Sequence, residues 1–239
     1  MERTCLITGS GKRLGRSLAL LFAEKNWNVI LHSFHSNEQA QEVQKLIEKK
    51  GTQVFHVTFD LTKVDEIING FADISKNFIF PDVLINNAAI YPQQMKVGDI
   101  TENFWDIALD TNLKSQFFTA KEFSKFAKTG SRVINIASLG AFSIWNDRLP
   151  YNVSKAGVIQ LTKALAKGLA PRISVNSVSP GTIDLQDMPP SEPLQINAER
   201  IPFKRLATAS DIFDAIYFFA TCSNYITGQN INVDGGFAL

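Results

Sequence analysis

The sequence alternates short apolar runs with longer amphipathic stretches from one end of the chain to the other. Most of the apolar runs are rich in Val and Ile, which is typical of strands buried on both faces of a parallel sheet. The stretches 14–25 and 38–49 place their apolar residues on one helical stripe, and Gly51 follows the second as a C-cap. This alternation predicts one doubly wound α/β domain over residues 1–239, with about seven parallel strands and helices on both faces. The predicted strands are Thr4–Thr8, Asn28–His32, Gln53–Thr58, Asp82–Asn86, Arg132–Ala137, Ser174–Val178 and Ile231–Val233.

Charge and cysteine content exclude several classes of protein. The chain has 24 basic and 23 acidic side chains, so it lacks the basic excess of a surface for nucleic acid or an anionic membrane. No apolar run approaches the roughly 20 residues that span a bilayer. Two cysteines are too few for a disulfide framework, and the first residues do not resemble a secretory signal. We therefore expect a soluble cytoplasmic globular protein.

A glycine-rich turn joins the first predicted strand to the first helix. Gly9, Gly11 and Gly15 allow a tight turn and close approach of the backbone to a pyrophosphate, which the helix N-terminus attracts. An ordinary glycine-rich turn is the alternative. A Walker A loop is excluded, because Arg13 follows Lys12 where Ser or Thr is required. The turn therefore favours a dinucleotide over a nucleoside triphosphate.

The end of the second predicted strand indicates which dinucleotide. NAD sites usually carry an acid here, on the ribose 2′-hydroxyl, but no acid occurs before Glu38. The segment instead offers hydrogen-bond donors to a 2′-phosphate, and the nearby glycine-rich turn adds the positive charge of Lys12. These features favour NADP over NAD. The donors are His32, Ser33, His35 and Ser36.

The strongest chemical signal is Tyr151 followed by Lys155, with Ser138 after a buried strand. Residues four apart lie on one face of a helix, so the phenol and the ammonium can share a site. A free tyrosine has a pKa near 10, and a nearby ammonium favours phenolate and lowers that value. Ser138 could hydrogen-bond a substrate carbonyl. The trio predicts acid–base chemistry at a carbonyl group.

These motifs together resemble the short-chain dehydrogenase/reductase family over essentially the whole chain. The resemblance implies a Rossmann-like fold and hydride transfer between a nicotinamide and a carbonyl, imine or alcohol. Tyr151 would be the proton donor or acceptor, and Lys155 would bind the nicotinamide ribose and lower the tyrosine pKa. Ser138 would orient the substrate, and Asn112 would hold a proton-relay water. The expected cofactor-binding residues are Gly9, Lys12, Arg13, Leu14, Gly15, His32, Ser33, His35, Ser36, Asp60, Leu61, Asn87, Ala88, Tyr151, Lys155, Pro180 and Gly181.

Departures from the family pattern bear on the substrate. Arg13 replaces the middle glycine of the usual turn, and the segment around it resembles the pteridine reductase branch, in which that arginine reaches the pyrophosphate and the pterin. Pteridine reductases commonly carry aspartate where this chain has Ser138, so reduction of an ordinary carbonyl is equally credible. The candidate substrate-contacting residues are Arg13, Tyr91, Trp145 and Met188.

We therefore expect an NADP(H)-dependent reductase of a small carbonyl or a pterin-like ring. The alternatives are a 3-oxoacyl-thioester reductase, a sugar or alcohol dehydrogenase of the same family, and a non-catalytic NADP-binding regulatory protein. No spacing of His, Cys or carboxylates predicts a metal site. The resemblance implies that the helix carrying Phe117 and Phe126 packs against a second subunit, so we expect a homodimer or homotetramer. The segment 180–193 is a candidate lid.

Overall fold

A computed structural model describes residues 3–78, 80–185 and 197–239. In the described residues, seven strands form one fully parallel sheet in the order β3-β2-β1-β4-β5-β6-β7. All the predicted strands are present, with bounds that differ by at most two residues, so the predicted fold class is confirmed. The strands are β1 (Thr4–Ile7), β2 (Asn28–Ser33), β3 (Val54–Thr58), β4 (Val83–Asn86), β5 (Ser131–Ile136), β6 (Ile173–Pro180) and β7 (Asn230–Val233).

Helices cover both faces of this sheet. The helices are α1 (Arg13–Glu24), α2 (Asn37–Glu48), α3 (Val64–Asn77), α4 (Glu102–Leu109), α5 (Ser115–Phe126), α6 (Leu149–Leu169) and α7 (Ala209–Thr221). One widened π-helical turn, Asp110–Lys114, connects α4 to α5. Among the described residues, no helix is both long enough and apolar enough to cross a bilayer.

Two apolar cores lie on opposite faces of the sheet. Successive strand residues point to opposite faces, so Cys5 and Ile7 of β1 join one core, while Leu6 between them joins the other. The first core packs against α1, α2 and α7, and includes Phe22 and Phe219; the second packs against α3, α5 and α6. Burial on both faces explains the almost continuously apolar strands.

The exposed phenylalanines of α5 bear on assembly. Phe123 is buried in the second core, whereas Phe117 and Phe126 are exposed on the same helix. Their exposure is compatible with a subunit contact. The homo-oligomer stays a prediction.

The strand order fixes where a ligand can bind. The chain runs outward from β1 to β3 and then returns to the other side of β1 to form β4. Loops after β1 and β4 therefore leave the sheet in opposite directions and open a crevice at the carboxyl ends of these strands. The candidate site occupies this crevice.

Candidate active site

A pocket of about 770 Å³ lies at the carboxyl ends of the central strands. It gathers residues from the glycine-rich turn, the end of β2, the loops after β3, β4 and β5, and the start of α6. Most of the candidate residues therefore meet at one place, although the sequence separates them widely. Those that line the pocket are Gly9, Lys12, Arg13, Leu14, Gly15, His32, Ser33, His35, Ser36, Asp60, Leu61, Asn87, Ala88, Tyr91, Ser138, Tyr151, Lys155, Pro180 and Gly181.

The glycine-rich turn has no room for side chains at Gly9 and Gly15. Gly9 has φ +64°, and a Cβ there would lie 2.9 Å from the Cα of Ala88. A Cβ on Gly15 would lie 2.1 Å from the carbonyl oxygen of Gly9. Side chains at either position would force the turn away from β4, so glycine is required for the crevice to have this shape.

The start of α1 fits an anionic group. No side chain caps its first turn, which contains no acidic residue. The backbone N–H groups at the N-terminus of a helix attract phosphate, and Lys12 and Arg13 add two cations to the pocket wall. Among the described lining residues, Asp60 is the single acid. These donors fit the phosphates of a dinucleotide.

Arg13 adopts a backbone conformation that favours glycine. Its φ is +52°, in the left-handed region, where a side chain costs about 1–2 kcal/mol. This conformation explains why the family usually has glycine at the position. The chain tolerates the strain and gains a guanidinium at the pocket wall.

Thr8 ties the ends of β1 and β4 together, a role that the sequence analysis missed. Its hydroxyl oxygen accepts hydrogen bonds from the backbone N–H groups of Asn87 and Ala88, both at 3.0 Å. The Asn87 side-chain amide donates to the carbonyl oxygens of Thr8 at 2.9 Å and Gly9 at 3.2 Å. These bonds fix the positions of the loops after β1 and β4, which border the crevice.

The structure corrects the role expected of His32. Its Nδ1 accepts from the N–H of Gly9 at 3.2 Å, and its Nε2 donates to the carbonyl of Phe59 at 2.9 Å. Burial lowers the pKa of His32 to about 4, so the ring is neutral near pH 7. The expectation that His32 donates to a phosphate is wrong, because both ring nitrogens already have protein partners. His32 instead braces the glycine-rich turn.

Ser33 is corrected for the same reason. Its hydroxyl donates to Oδ1 of Asn37 at 2.6 Å, and its oxygen lies 2.7 Å from Nε2 of His56. The hydroxyl proton is thus committed within the protein. Among the expected donors at the end of β2, this leaves the exposed His35 and the pocket-lining Ser36 to face a ligand.

Asp60 and Leu61 line the pocket after β3. The Asp60 carboxylate accepts from the backbone N–H of Thr62 at 2.9 Å and from its hydroxyl at 2.8 Å. Asp60 therefore shapes the turn that leads into α3, and this turn presents Leu61 to the crevice.

Three polar side chains form the reactive wall of the pocket. Tyr151 and Lys155 lie on successive turns of α6, and Ser138 follows β5. The Ser138 side chain hydrogen-bonds Tyr151, while its oxygen accepts from the N–H of Gly140 at 3.1 Å. The ammonium of Lys155 donates to the carbonyl of Ile136 at 2.8 Å and lies 5.8 Å from the Tyr151 ring centroid. The predicted trio is therefore assembled.

The pKa values of this wall differ from the expectation. Burial raises the pKa of Tyr151 to about 12, although the Ser138 hydrogen bond and the charge of Arg148 act in the opposite direction. Burial lowers the pKa of Lys155 to about 8. The expected lowering of the tyrosine pKa is absent from the protein alone, because desolvation of the phenolate outweighs the nearby charges. Tyr151 is firmly protonated near pH 7, which is the form that donates a proton.

Asn112 lies behind the wall and does not line the pocket. It is buried in the π-helical turn, where its oxygen accepts from the N–H of Ile90 at 2.8 Å. Its amide nitrogen donates to the carbonyl of Ile90 at 3.0 Å and to the hydroxyl of Ser154 at 3.2 Å. The side chain therefore fixes the loop after β4 against α6.

Only some of the residues expected to contact the substrate are found in the pocket wall. Arg13 and Tyr91 line the pocket. Trp145 does not line the pocket. Its ring packs on Gly140, where an added Cβ would lie 2.8 Å from the indole, and its centroid lies 6.2 Å from that of the Phe237 ring. Met188 and most of the candidate lid fall outside the described residues.

Several apolar lining residues were missed because an apolar side chain carries no chemical signal of its own. The loop after β4, the helix α4 and the segment after β6 each contribute to the wall. These lining residues are Phe34, Ile90, Ile107, Ile183 and Leu185.

Comparison with known proteins agrees with this geometry. Residues 9–238 match a family model described as enoyl-(acyl carrier protein) reductase. The chain is 34% identical over 242 residues to a 3-oxoacyl-[acyl-carrier-protein] reductase, FabG, of Staphylococcus epidermidis, covering 99% of each protein. The chain belongs to the short-chain dehydrogenase/reductase family.

Solved structures of family members have the same architecture. The promiscuous reductase LugOII, which catalyses a keto-reduction, superposes with a TM-score of 0.89 and is 31% identical; the match covers 99% of this chain and 98% of that one. A short-chain dehydrogenase from Burkholderia cenocepacia in complex with NADP gives a TM-score of 0.91 at 25% identity, with the same coverage. The protein is therefore an oxidoreductase of this family. Two of the relatives named above are 3-oxoacyl and keto reductases, and none of the three is named as a pteridine reductase.

Proposed function

We propose that the protein is an NADPH-dependent ketone reductase whose substrates are 3-oxoacyl thioesters. The observation that carries the proposal is the protonated Tyr151, hydrogen-bonded to Ser138, in the wall of a pocket that also contains the glycine-rich turn. The relative at 34% identity is named for 3-oxoacyl reduction, and a serine at position 138 suits a carbonyl oxygen.

The cofactor assignment rests on charge. Lys12 and Arg13 lie beside the start of α1, and no acid follows β2 where NAD-binding members hold the ribose. His35 and Ser36 face the same end of the pocket and can donate to a 2′-phosphate. The NADP complex of the Burkholderia cenocepacia relative supports this choice.

Each polar residue has a part in the reaction. When bound beside the glycine-rich turn, NADPH would supply a hydride, with its two electrons, to the carbonyl carbon and would thereby be oxidised to NADP⁺. Tyr151 donates its phenolic proton to the carbonyl oxygen, so the ketone becomes an alcohol, and the phenolate recovers a proton from solvent. Ser138 hydrogen-bonds the carbonyl oxygen as its negative charge grows. Lys155 would hold the nicotinamide ribose and stabilise the phenolate, while Asn112 positions the wall through its hydrogen bonds to Ile90 and Ser154.

A pterin-like ring is the second candidate substrate, and Arg13 is the observation that favours it. The left-handed backbone of Arg13 carries a strain that glycine would avoid, which indicates a use for its guanidinium in the pocket. A planar heterocycle stacked near the cofactor phosphates would provide that use.

A comparison of substrates tests these proposals. NADPH consumption is measured with a short 3-oxoacyl thioester, a diketone, a sugar ketone, biopterin and a dihydropterin, and each assay is repeated with NADH. We expect the highest kcat/KM with the thioester and NADPH. The highest value with a pterin would replace the leading substrate by the second one. Tight NADPH binding without turnover of any substrate would favour a non-catalytic regulatory protein.

A further inference from the structure

Three side chains stack beside the reactive wall. The guanidinium carbon of Arg148 lies 4.1 Å from the ring centroid of Tyr91. The Tyr91 ring in turn meets the Tyr151 ring edge to face, with centroids 4.8 Å apart and planes at 88°. Both distances are typical of favourable cation–π and aromatic pairs. Tyr91 is thus held between Arg148 and the proton donor.

The loop that carries Tyr91 is fixed on both sides of the stack. Ile90 is held by the two hydrogen bonds of Asn112 described above. The N–H of Met95 donates to the carbonyl of Asp147 at 2.9 Å, immediately before Arg148. The loop after β4 is therefore tied to the residues that lead into α6, on both sides of the Arg148–Tyr91 stack.

The charge of Arg148 is poorly solvated. Arg148 is 8% exposed, and its Nε is buried with no hydrogen-bond partner among the described residues. A buried charge is screened less than one in water, so it acts more strongly on its neighbours. The polar groups that influence Tyr151 are Ser138, Tyr91, Arg148 and, across the ring, Lys155.

We propose that Arg148 is a positioning residue that holds Tyr91 against Tyr151 and stabilises the phenolate left after proton donation. This inference rests on the proposed function, because it takes Tyr151 as the proton donor. Arg148 is separate from the Ser138, Tyr151 and Lys155 trio and acts through the Tyr91 ring. Its charge opposes the effect of burial on the pKa of Tyr151.

The test is the rate of ketone reduction by Arg148→Met near neutral pH, where Tyr151 is protonated in wild type. Because the phenolate left after proton donation loses a nearby positive charge, we expect kcat to drop roughly tenfold, with little change in the NADPH dissociation constant. A purely structural role would lower kcat equally in Arg148→Met and in Arg148→Lys.

Two further variants keep the test decisive. Arg148→Lys retains the charge near neutral pH and should keep most of the wild-type kcat, while its loss of planar stacking raises the KM of the ketone. Arg148→Gln replaces Arg148→Met if the latter does not fold, with the same expected drop in kcat. Lys25→Met is the matched control, because Lys25 also lies over a tyrosine ring, that of Tyr217, at 5.9 Å. It should behave as wild type.

A second readout does not depend on turnover. The chain has four tyrosines, so ¹³Cζ-tyrosine NMR of the cofactor-free protein can follow Tyr151, assigned with Tyr151→Phe. At neutral pH the Tyr151 resonance should shift in Arg148→Met, because the Tyr91 ring is no longer held edge to face against the Tyr151 ring, and it should shift less in Arg148→Lys. An unchanged kcat and an unchanged Tyr151 resonance in Arg148→Met would overturn the inference. Full activity of Tyr151→Phe would instead overturn the proposed function, so the two failures are distinct.

Discussion

Replacing Lys155 with methionine should change how protein stability depends on pH. Lys155 is 2% exposed, and burial lowers its pKa from 10.5 to about 8. In the unfolded chain the ammonium is in water, so folding near pH 7 must bury a positive charge. The difference between the two pKa values corresponds to about 3 kcal/mol. Burial of the ammonium lowers the free energy of unfolding of the wild-type protein by this amount near pH 7, and the Lys155→Met protein does not incur this cost.

The sign of the pH dependence follows from the same values. Below about pH 8 the ammonium is charged in both states, and the full penalty applies. Above about pH 8 the folded protein releases the proton while the unfolded chain keeps it until about pH 10.5. The unfolded state then binds more protons, so wild-type stability rises with pH. The stability of Lys155→Met relative to wild type should therefore decrease by roughly 1 kcal/mol between about pH 7 and about pH 9.

The slope is a sharper test than the absolute difference. Methionine leaves the carbonyl of Ile136 without its 2.8 Å partner, which costs about 1–3 kcal/mol at every pH. Urea unfolding of the cofactor-free proteins, followed by circular dichroism at several pH values, gives the slope directly. Lys25→Met, at an exposed lysine, should keep a constant difference from wild type. A constant difference for Lys155→Met as well would refute the argument that burial lowers the pKa of Lys155.

Two other perturbations test the cofactor half of the pocket. Arg13→Gly should weaken NADPH binding at least about tenfold, measured by fluorescence titration, because a charged hydrogen-bond donor is lost. Its free energy of unfolding should stay within about 1 kcal/mol of wild type, since relief of the φ +52° strain offsets the entropy of glycine; unchanged NADPH affinity would contradict the assignment. In His32→Gln, the free energy of unfolding should decrease by about 3 kcal/mol less than in wild type when the pH is lowered from neutral to about 4. The pKa of His32 falls from 6.5 to about 4 on folding, so the contribution of the neutral ring to the free energy of unfolding is fully present above about pH 6.5 and is lost as the pH falls toward 4. Equal loss of stability in acid for His32→Gln and wild type would count against this.

Periodicity and turn chemistry predicted the fold well. Strands buried on both faces have a continuous apolar pattern, and each of the seven lies within two residues of its predicted bounds. The helical spacing of Tyr151 and Lys155, with Ser138 after a buried strand, predicted one shared site, and the structure places all three in one wall.

Hydrogen-bond partners across the fold were less predictable. His32 and Ser33 look like available donors in the sequence, but Phe59, Asn37 and His56 come from other segments and use their polar groups. A sequence does not show which donors are already paired. The same reason explains why the Arg148–Tyr91 contact was missed, although an arginine three residues before Tyr151 on α6 was a visible signal.

The pKa of Tyr151 was predicted in the wrong direction for the protein alone. The sequence shows the charge of Lys155 four residues away, but it does not show how completely the site is desolvated. In the structure desolvation is the larger effect and keeps the phenol protonated.

The most direct test of the account is reduction of a 3-oxoacyl thioester by Tyr151→Phe with NADPH. Phenylalanine keeps the ring that packs against Tyr91 and removes the hydroxyl that donates the proton. We expect kcat to fall by at least about 100-fold, with the NADPH dissociation constant within about threefold of wild type. Turnover comparable to wild type would contradict the assignment of Tyr151 as the proton donor, and with it the proposed mechanism.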